Sequence, residues 1–227
     1  MKEISRNIAL IFEVENSIKM LRSGLSEIQK LYPGNDFYDP ILIYLSSGLE
    51  RLFKSMICLN FKEINGRLPN YNELIGKNNG HDIEYLKKRV ESFCVPINRS
   101  FAAMDYEVLT QDEFANNVCK ILSAYGQKAR YFNLDAVLGR EQELDAKNEW
   151  QTLEASLAEE HYGFDRYWEM IVDGTQIEQL RMKSNELIIT RLEVFFRAIC
   201  RQFIFGNFSG KSQAFRFQIE SFINIED

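Results

Sequence analysis

Proline and glycine are scarce in this chain, at 4 and 12 of 227 residues. That scarcity disfavours a fold of short strands and tight turns and leaves room for long helices. Histidine is scarcer still, with His81 and His161 alone. The four cysteines, Cys58, Cys94, Cys119 and Cys200, lie far apart and form no CxxC pair. A zinc site needs paired ligands at short spacing, so no metal is expected. The thiols sit among apolar neighbours, which suits buried, reduced side chains rather than a disulfide framework. No apolar run approaches the roughly 20 residues of a membrane span, and the first residues lack the apolar segment of a secretory signal. A cytoplasmic protein without membrane contact is expected. Long runs of Lys and Arg are also missing, which argues against a general nucleic-acid coat.

The net charge of −6 is unevenly placed. Residues 141–174 carry ten carboxylates against Lys147 and Arg166, while the flanking segments are each close to neutral. Any phosphate contact therefore has to be local, away from that acidic stretch.

The pattern that remains is helical. Ile11, Val14, Ile18, Leu21, Leu25, Ile28 and Tyr32 recur at 3-4 spacing, the seam of a helix packed lengthwise on others. Pro33-Gly34-Asn35 ends it. Asp39 as cap with Pro40 in the first turn predicts a second helix to about Ile64, with Leu45, Leu49, Leu52, Phe53, Met56 and Leu59 facing inward. Gly48 in its middle weakens a helix and marks a close approach by another element. After a loop over residues 66–80, with a short turn at Glu73-Leu74-Ile75, His81-Asp82 opens a third helix bearing Ile83, Leu86, Val90 and Phe93. Lys87-Lys88-Arg89 reads as its solvated face. Thr110 and Glu113 form a capping-box pattern for a fourth helix, which continues through Tyr125 into Arg130. Gly139-Arg140 predicts a boundary between a core over residues 1–139 and an extension over 140–227. The extension holds an acidic helix of about Glu141 to Glu160, an aromatic patch at Phe164, Tyr167 and Trp168, and a long helix capped by Thr175. The tail after Gly206 fits helix and strand equally. The fold class is all-α.

The segment Tyr125-Gly126-Gln127-Lys128-Ala129-Arg130-Tyr131-Phe132-Asn133-Leu134-Asp135 carries the chemistry. Leu122, Tyr125, Ala129, Phe132 and Leu134 follow a core-facing pattern, so Arg130 is expected on or beside a buried face. A guanidinium keeps its charge, and burying it unpaired is costly. It is expected in a groove, within hydrogen-bonding reach of Glu50, Asn133 or Asp135. Glu50 and Lys54 are spaced for a surface ion pair, with Glu50–Arg130 as the alternative. His81 is the candidate acid or base, since an imidazole titrates near pH ~6.5. His161, at an acidic helix end, reads as structural. No hydrolase, phosphate-loop, zinc-protease or dinucleotide motif is present, and no cofactor is expected.

Three pieces, in this order, resemble the higher eukaryote and prokaryote nucleotide-binding (HEPN) superfamily: Gly48-Leu49-Glu50-Arg51-Leu52-Phe53-Lys54, Gly80-His81-Asp82-Ile83-Glu84-Tyr85-Leu86 and Ala129-Arg130-Tyr131-Phe132-Asn133-Leu134-Asp135. They fall within residues 41–138. The resemblance implies a helical bundle of HEPN type with a C-terminal helical extension. It also implies a homodimer, contact with RNA, a nucleotide or a protein partner, and a toxin–antitoxin or phage-defence setting. Glu50, Lys54, Arg130 and Asn133 become the candidate ligand-binding residues. RNase members place a histidine after the arginine with four to six residues between them. Here those positions hold Asp135, Ala136 and Val137, so the proton-transfer histidine is missing. Non-catalytic binding of RNA or nucleotide is the leading expectation. The alternatives are a weak, atypical metal-independent RNase using Arg130 with His81 or Asp135, and a structural helical adaptor.

Overall fold

The computed structural model of the chain describes residues 3–75, 80–140, 144–208 and 215–223. Among these residues there are eleven α-helices and no β-strand, so the all-α class is observed. An antiparallel hairpin comes first. Helix α1 (Glu3–Ile28) buries Val14, Ile18, Leu21, Leu25 and Ile28 as the 3-4 spacing requires, while Ile11 is half-buried and Tyr32 lies exposed past the helix end. Helix α2 (Asp39–Asn65) returns alongside it and buries all six of the apolar side chains expected to face inward. Asp39 is the first helical residue rather than the cap; Tyr38 holds the cap position without a side-chain bond. Asp39 instead accepts a hydrogen bond from the Tyr125 hydroxyl at 3.0 Å.

Two glycines let α1 and α2 approach. A Cβ on Gly24 would stand 2.7 Å from Leu45 Cγ, and one on Gly48 would stand 2.9 Å from Leu21 Cδ2 and 3.1 Å from the Leu21 backbone nitrogen. Each leucine thus lies over the glycine of the opposite helix. The close approach read from Gly48 is present.

Helix α3 (Tyr71–Ile75) is the short turn expected in the loop, whose Gly76 to Asn79 lie outside the described residues. Helix α4 (Ile83–Glu91) is capped by Asp82, which accepts from the Tyr85 N–H at 3.0 Å. Its Lys87 is buried, contrary to the solvated face expected, because Glu91 and Asn116 Oδ1 (2.9 Å) hold the ammonium. Helix α5 (Asp105–Thr110) follows, then α6 (Glu113–Gln127). The expected Thr110 cap is not used. Thr110 ends α5 and donates to the Tyr106 carbonyl, whereas Asp112 caps α6 by accepting from the Ala115 N–H at 2.7 Å.

A 3₁₀ turn at Ala129–Tyr131 and the short α7 (Phe132–Val137) lead to residue 140. The acidic helix expected from about Glu141 is α8 (Ala146–Tyr162), capped by Asp145, with residues 141–143 outside the described residues, and the aromatic patch forms α9 (Phe164–Asp173). Helix α10 (Ile177–Phe205) follows Gln176, not Thr175, whose hydroxyl bonds Asp173 instead. The described part of the tail is helical as α11 (Arg216–Ile223), with Ile219 and Phe222 buried.

One contiguous apolar core draws on both sides of position 139. Leu45, Leu49, Phe53 and Leu122 share it with Trp150, Ile188, Phe195, Phe196, Ile199 and Phe203. The wide apolar surface of α10 is covered within the chain by α5, α8 and α11. No helix among the described residues is long and apolar enough to cross a membrane.

All four cysteines are reduced. Burial pushes the Cys58 thiol up to about 11 and the Cys94 and Cys119 thiols up to about 12, and raises Cys200 as well. Thiolate is the reactive form, so Cys94, Cys119 and Cys200 are expected to resist Ellman's reagent in the native protein near pH ~8 and to react once denaturant is added. Immediate titration of all four native thiols would contradict this packing. Gly48→Ala tests the hairpin: alanine favours a helix by about 1 kcal/mol, yet overpacking against the Leu21 backbone costs about 1–3 kcal/mol. Urea unfolding is expected to show net destabilisation.

Candidate functional site

Arg130 lies at a corner of the chain. Helix α6 breaks at Lys128, whose φ and ψ of −146° and −42° leave the helical region. The continuous helix expected through Arg130 is therefore not formed. Gly126, a weak helix former one turn earlier, was the available signal. Leu122, Tyr125 and Ala129 are buried as expected, but Phe132 is only half-buried and Leu134 is exposed, because the turn rotates the helical face after it away from the core. Arg130 is exposed too. Its Nη2 donates to the Gly126 carbonyl at 2.8 Å, and its guanidinium lies over the Tyr131 ring, 5.6 Å from the centroid. This corrects the expected partners: neither Glu50, Asn133 nor Asp135 bonds to it. Among the described residues, no carboxylate stands within ion-pair distance of Arg130. The groove itself is present.

That groove is a cleft of about 590 Å³ between the start of α2, the corner after α6 and the first turns of α8. Arg130, Asn133, Lys147, Asn148 and Gln151 bring polar groups to it, and Tyr38, Tyr125, Tyr131 and Phe132 bring rings. Among the described residues two carboxylates also line it, and both are occupied. Asp39 accepts from Tyr125, and Asp145 accepts from the backbone N–H groups of Lys147 and Asn148 at 3.0 and 3.2 Å. Burial, then the adjacent Asp39, raises the Tyr125 hydroxyl well above the usual phenol range. That hydroxyl is therefore a neutral donor. Lys147 bonds Asp36 at 2.7 Å, which holds the Asp36 carboxyl below its ordinary value. The cleft can thus offer a guanidinium with no carboxylate partner among the described residues, several amide donors and aromatic faces. Among the described residues, the lining contains no histidine, cysteine or serine.

The other sequence candidates assemble elsewhere. Glu50 Oε1 receives Lys54 Nζ at 2.6 Å, the i,i+4 pair read from spacing, and Glu50 Oε2 lies 2.9 Å from His81 Nδ1. The pair is more buried than a surface ion pair, because Gly80 lets the chain close over it: a Cβ there would stand 3.4 Å from Lys54 Nζ. His81 is fixed from behind, since Ser123 accepts from the Ile83 N–H at 3.0 Å and donates to Asp82. Its ring is not part of the cleft lining. Asp135 turns to Arg140 at 3.7 Å. Among the described residues, no group of three His, Cys, Asp or Glu side chains is placed to hold a metal.

A buried polar centre behind the cleft escaped sequence reasoning. Glu154, in the helix read only as acidic, accepts from Tyr38 Oη at 2.7 Å, Trp150 Nε1 at 3.0 Å and Arg181 Nη1 at 2.7 Å. Burial and the Glu154 charge raise the Tyr38 hydroxyl, which stays protonated and donates. Glu154 stands i+4 from Trp150, on the same apolar face, and that spacing was the available signal. Glu154→Ala removes the acceptor of Tyr38 and Trp150 and the carboxylate partner of Arg181, whose Nη1 keeps only Tyr38 Oη at 3.0 Å, and breaking such a buried pair costs on the order of 3 kcal/mol or more. Urea unfolding is expected to read that loss, with Glu154→Gln intermediate. A loss within about 0.5 kcal/mol, the range of ordinary surface changes, would contradict this account.

No protein-family model, curated protein or solved structure gives a significant match to this chain.

Proposed function

We propose that this protein binds RNA or a nucleotide in the cleft beside Arg130 and does not cleave it. The observation that carries this reading is the Arg130 guanidinium, lying over Tyr131 at the cleft wall with no carboxylate partner among the described residues. A guanidinium fork matches phosphate oxygens, and aromatic faces stack unpaired bases. Asn133, Asn148 and Gln151 supply amides for base edges or ribose. The cleft volume of about 590 Å³ suits a mononucleotide or one or two residues of a single strand. The motif order in residues 41–138 supports a HEPN-like assignment, and with it a homodimer in a toxin–antitoxin or phage-defence setting.

The lining supports the reading without cleavage. In-line attack on a phosphodiester needs a group that moves a proton, and His81, the one imidazole near this end of the bundle, is held by Glu50 outside the cleft. The weak-RNase reading has one observation in its favour. Glu50 fixes the Nδ1 side of His81 as a carboxylate orients a catalytic imidazole. The adaptor reading would leave Arg130 without a ligand.

Fluorescence anisotropy with labelled oligouridine and labelled ATP at low salt tests the proposal. Binding is expected to weaken as salt rises. Arg130→Ala is expected to weaken it at least about tenfold, since a charge-assisted hydrogen bond contributes roughly 1.5–3 kcal/mol. His81→Ala is expected to leave affinity unchanged, and no cleavage products are expected from wild type. Unchanged affinity in Arg130→Ala would overturn the cleft assignment. Cleavage lost in both Arg130→Ala and His81→Ala would establish the RNase reading instead.

A further inference from the structure

Helix α9 has a wider apolar sector than its neighbours cover. Met170 is buried, and Tyr167 and Ile171 are half-buried, against Ala158 of α8 and Leu180 of α10. The next stripe around the helix is Phe164, Trp168 and Val172, spaced i, i+4, i+8, and these remain 62%, 45% and 83% exposed. They border an open hollow of about 760 Å³. About 100° further round the helix lies a third stripe, Asp165, Glu169 and Asp173, every one an exposed carboxylate. Arg166 is the single cation of α9, and its guanidinium is engaged by Glu169 at 3.2 Å and Gln176 at 2.7 Å. Phe164 and Tyr167 both pack on the Trp168 ring, at 6.1 and 5.8 Å between centroids, so the indole is presented in a fixed orientation.

We propose that this face docks a cationic amphipathic helix of a partner protein. The apolar side chains of that helix would lie over Phe164, Trp168 and Val172, and its Lys and Arg side chains over Asp165, Glu169 and Asp173. A contiguous exposed apolar patch rimmed by charge marks an interaction surface, and an apolar stripe beside a hollow is the geometry that receives a helix. Charge selects the occupant. A second copy of this chain would bring two carboxylate stripes together, and like charges across an interface are unfavourable. A lipid surface is disfavoured for the same reason, because helices that lie on membranes carry Lys and Arg beside the apolar face. This site is separate from the Arg130 cleft and does not depend on its function.

Tryptophan fluorescence supplies the test, because Trp150 is fully buried and Trp168 is not. A synthetic amphipathic helix of Leu and Lys, titrated into the full chain, is expected to shift the emission to the blue. Its Leu/Glu counterpart and vesicles of mixed zwitterionic and anionic lipid are expected to leave the emission unchanged. Variants are read by anisotropy of the labelled Leu/Lys peptide, with helical circular dichroism confirming that each is folded. Trp168→Ala and Val172→Ser, which keep the net charge, are each expected to weaken binding at least tenfold. Glu169→Lys together with Asp173→Lys is expected to abolish binding. Binding that survives Trp168→Ala and Val172→Ser would reduce the attraction to overall charge and overturn the site. Equal binding of the Leu/Glu peptide, an equal shift with vesicles, or self-association through α9 lost in Val172→Ser would each overturn it as well.

Discussion

The approach of α1 to α2 is the constraint on which the bundle depends. Leu21 lies over Gly48 and Leu45 over Gly24, so the two longest N-terminal helices meet through reciprocal notches rather than side chain against side chain. At that separation, core leucines on both helices interlock, and the register of the hairpin is set by two positions where any larger residue would push the backbones apart. Helices α4 and α6 are then laid on α2, and α8 packs in turn on α6 and α10. The start of α2, where the cleft forms, inherits its position from the same contact.

The second half of the chain closes the fold through buried polar anchors as much as through apolar burial. Glu154 ties α8 to Tyr38 at the head of α2 and to Arg181 of α10. Arg201 of α10 donates to the Phe101 carbonyl at 2.6 Å and lies 3.3 Å from Asp105, both groups being buried. The Gln202 amide pairs with both backbone groups of Val95, donating to its carbonyl at 2.9 Å and accepting from its N–H at 3.3 Å. Groups of this kind contribute little net stability when paired, and their loss is expensive when a partner is removed. They specify where α10 lies along the bundle. An apolar stripe alone would tolerate a slip of one helical turn.

The polar chemistry divides into two places that the primary structure interleaves. Glu50, Lys54 and His81 form one cluster, while Arg130 and Asn133 belong to the cleft with residues of α8. Gly126 stands between them, its carbonyl holding Arg130 and its α-carbon facing the His81 backbone carbonyl. The break in α6 just after it turns the guanidinium out of the core. An arginine at this corner has no need of a carboxylate, because it is exposed and a backbone carbonyl accepts from it. That removes the premise on which a buried ion pair was expected.

The all-α class, the hairpin, the Gly48 contact, the Glu50–Lys54 pair and the reduced thiols were legible in the sequence. Each follows from local spacing, and local spacing fixes which side chains share a helical face. Caps were legible less often: Asp82 caps α4, but Thr110 yields to Asp112, while Asp39 and Thr175 bond Tyr125 and Asp173 and leave Tyr38 and Gln176 at the cap positions without a side-chain bond. The buried Lys87, the Glu154 centre and the Arg201–Asp105 pair were beyond sequence reading. Whether a charged side chain can be buried depends on a partner brought from far along the chain, 96 positions away for Arg201 and Asp105. Sequence periodicity determined which residues each helix turns inward. Only the tertiary structure decided which charges meet, since that depends on how helices distant in sequence are juxtaposed.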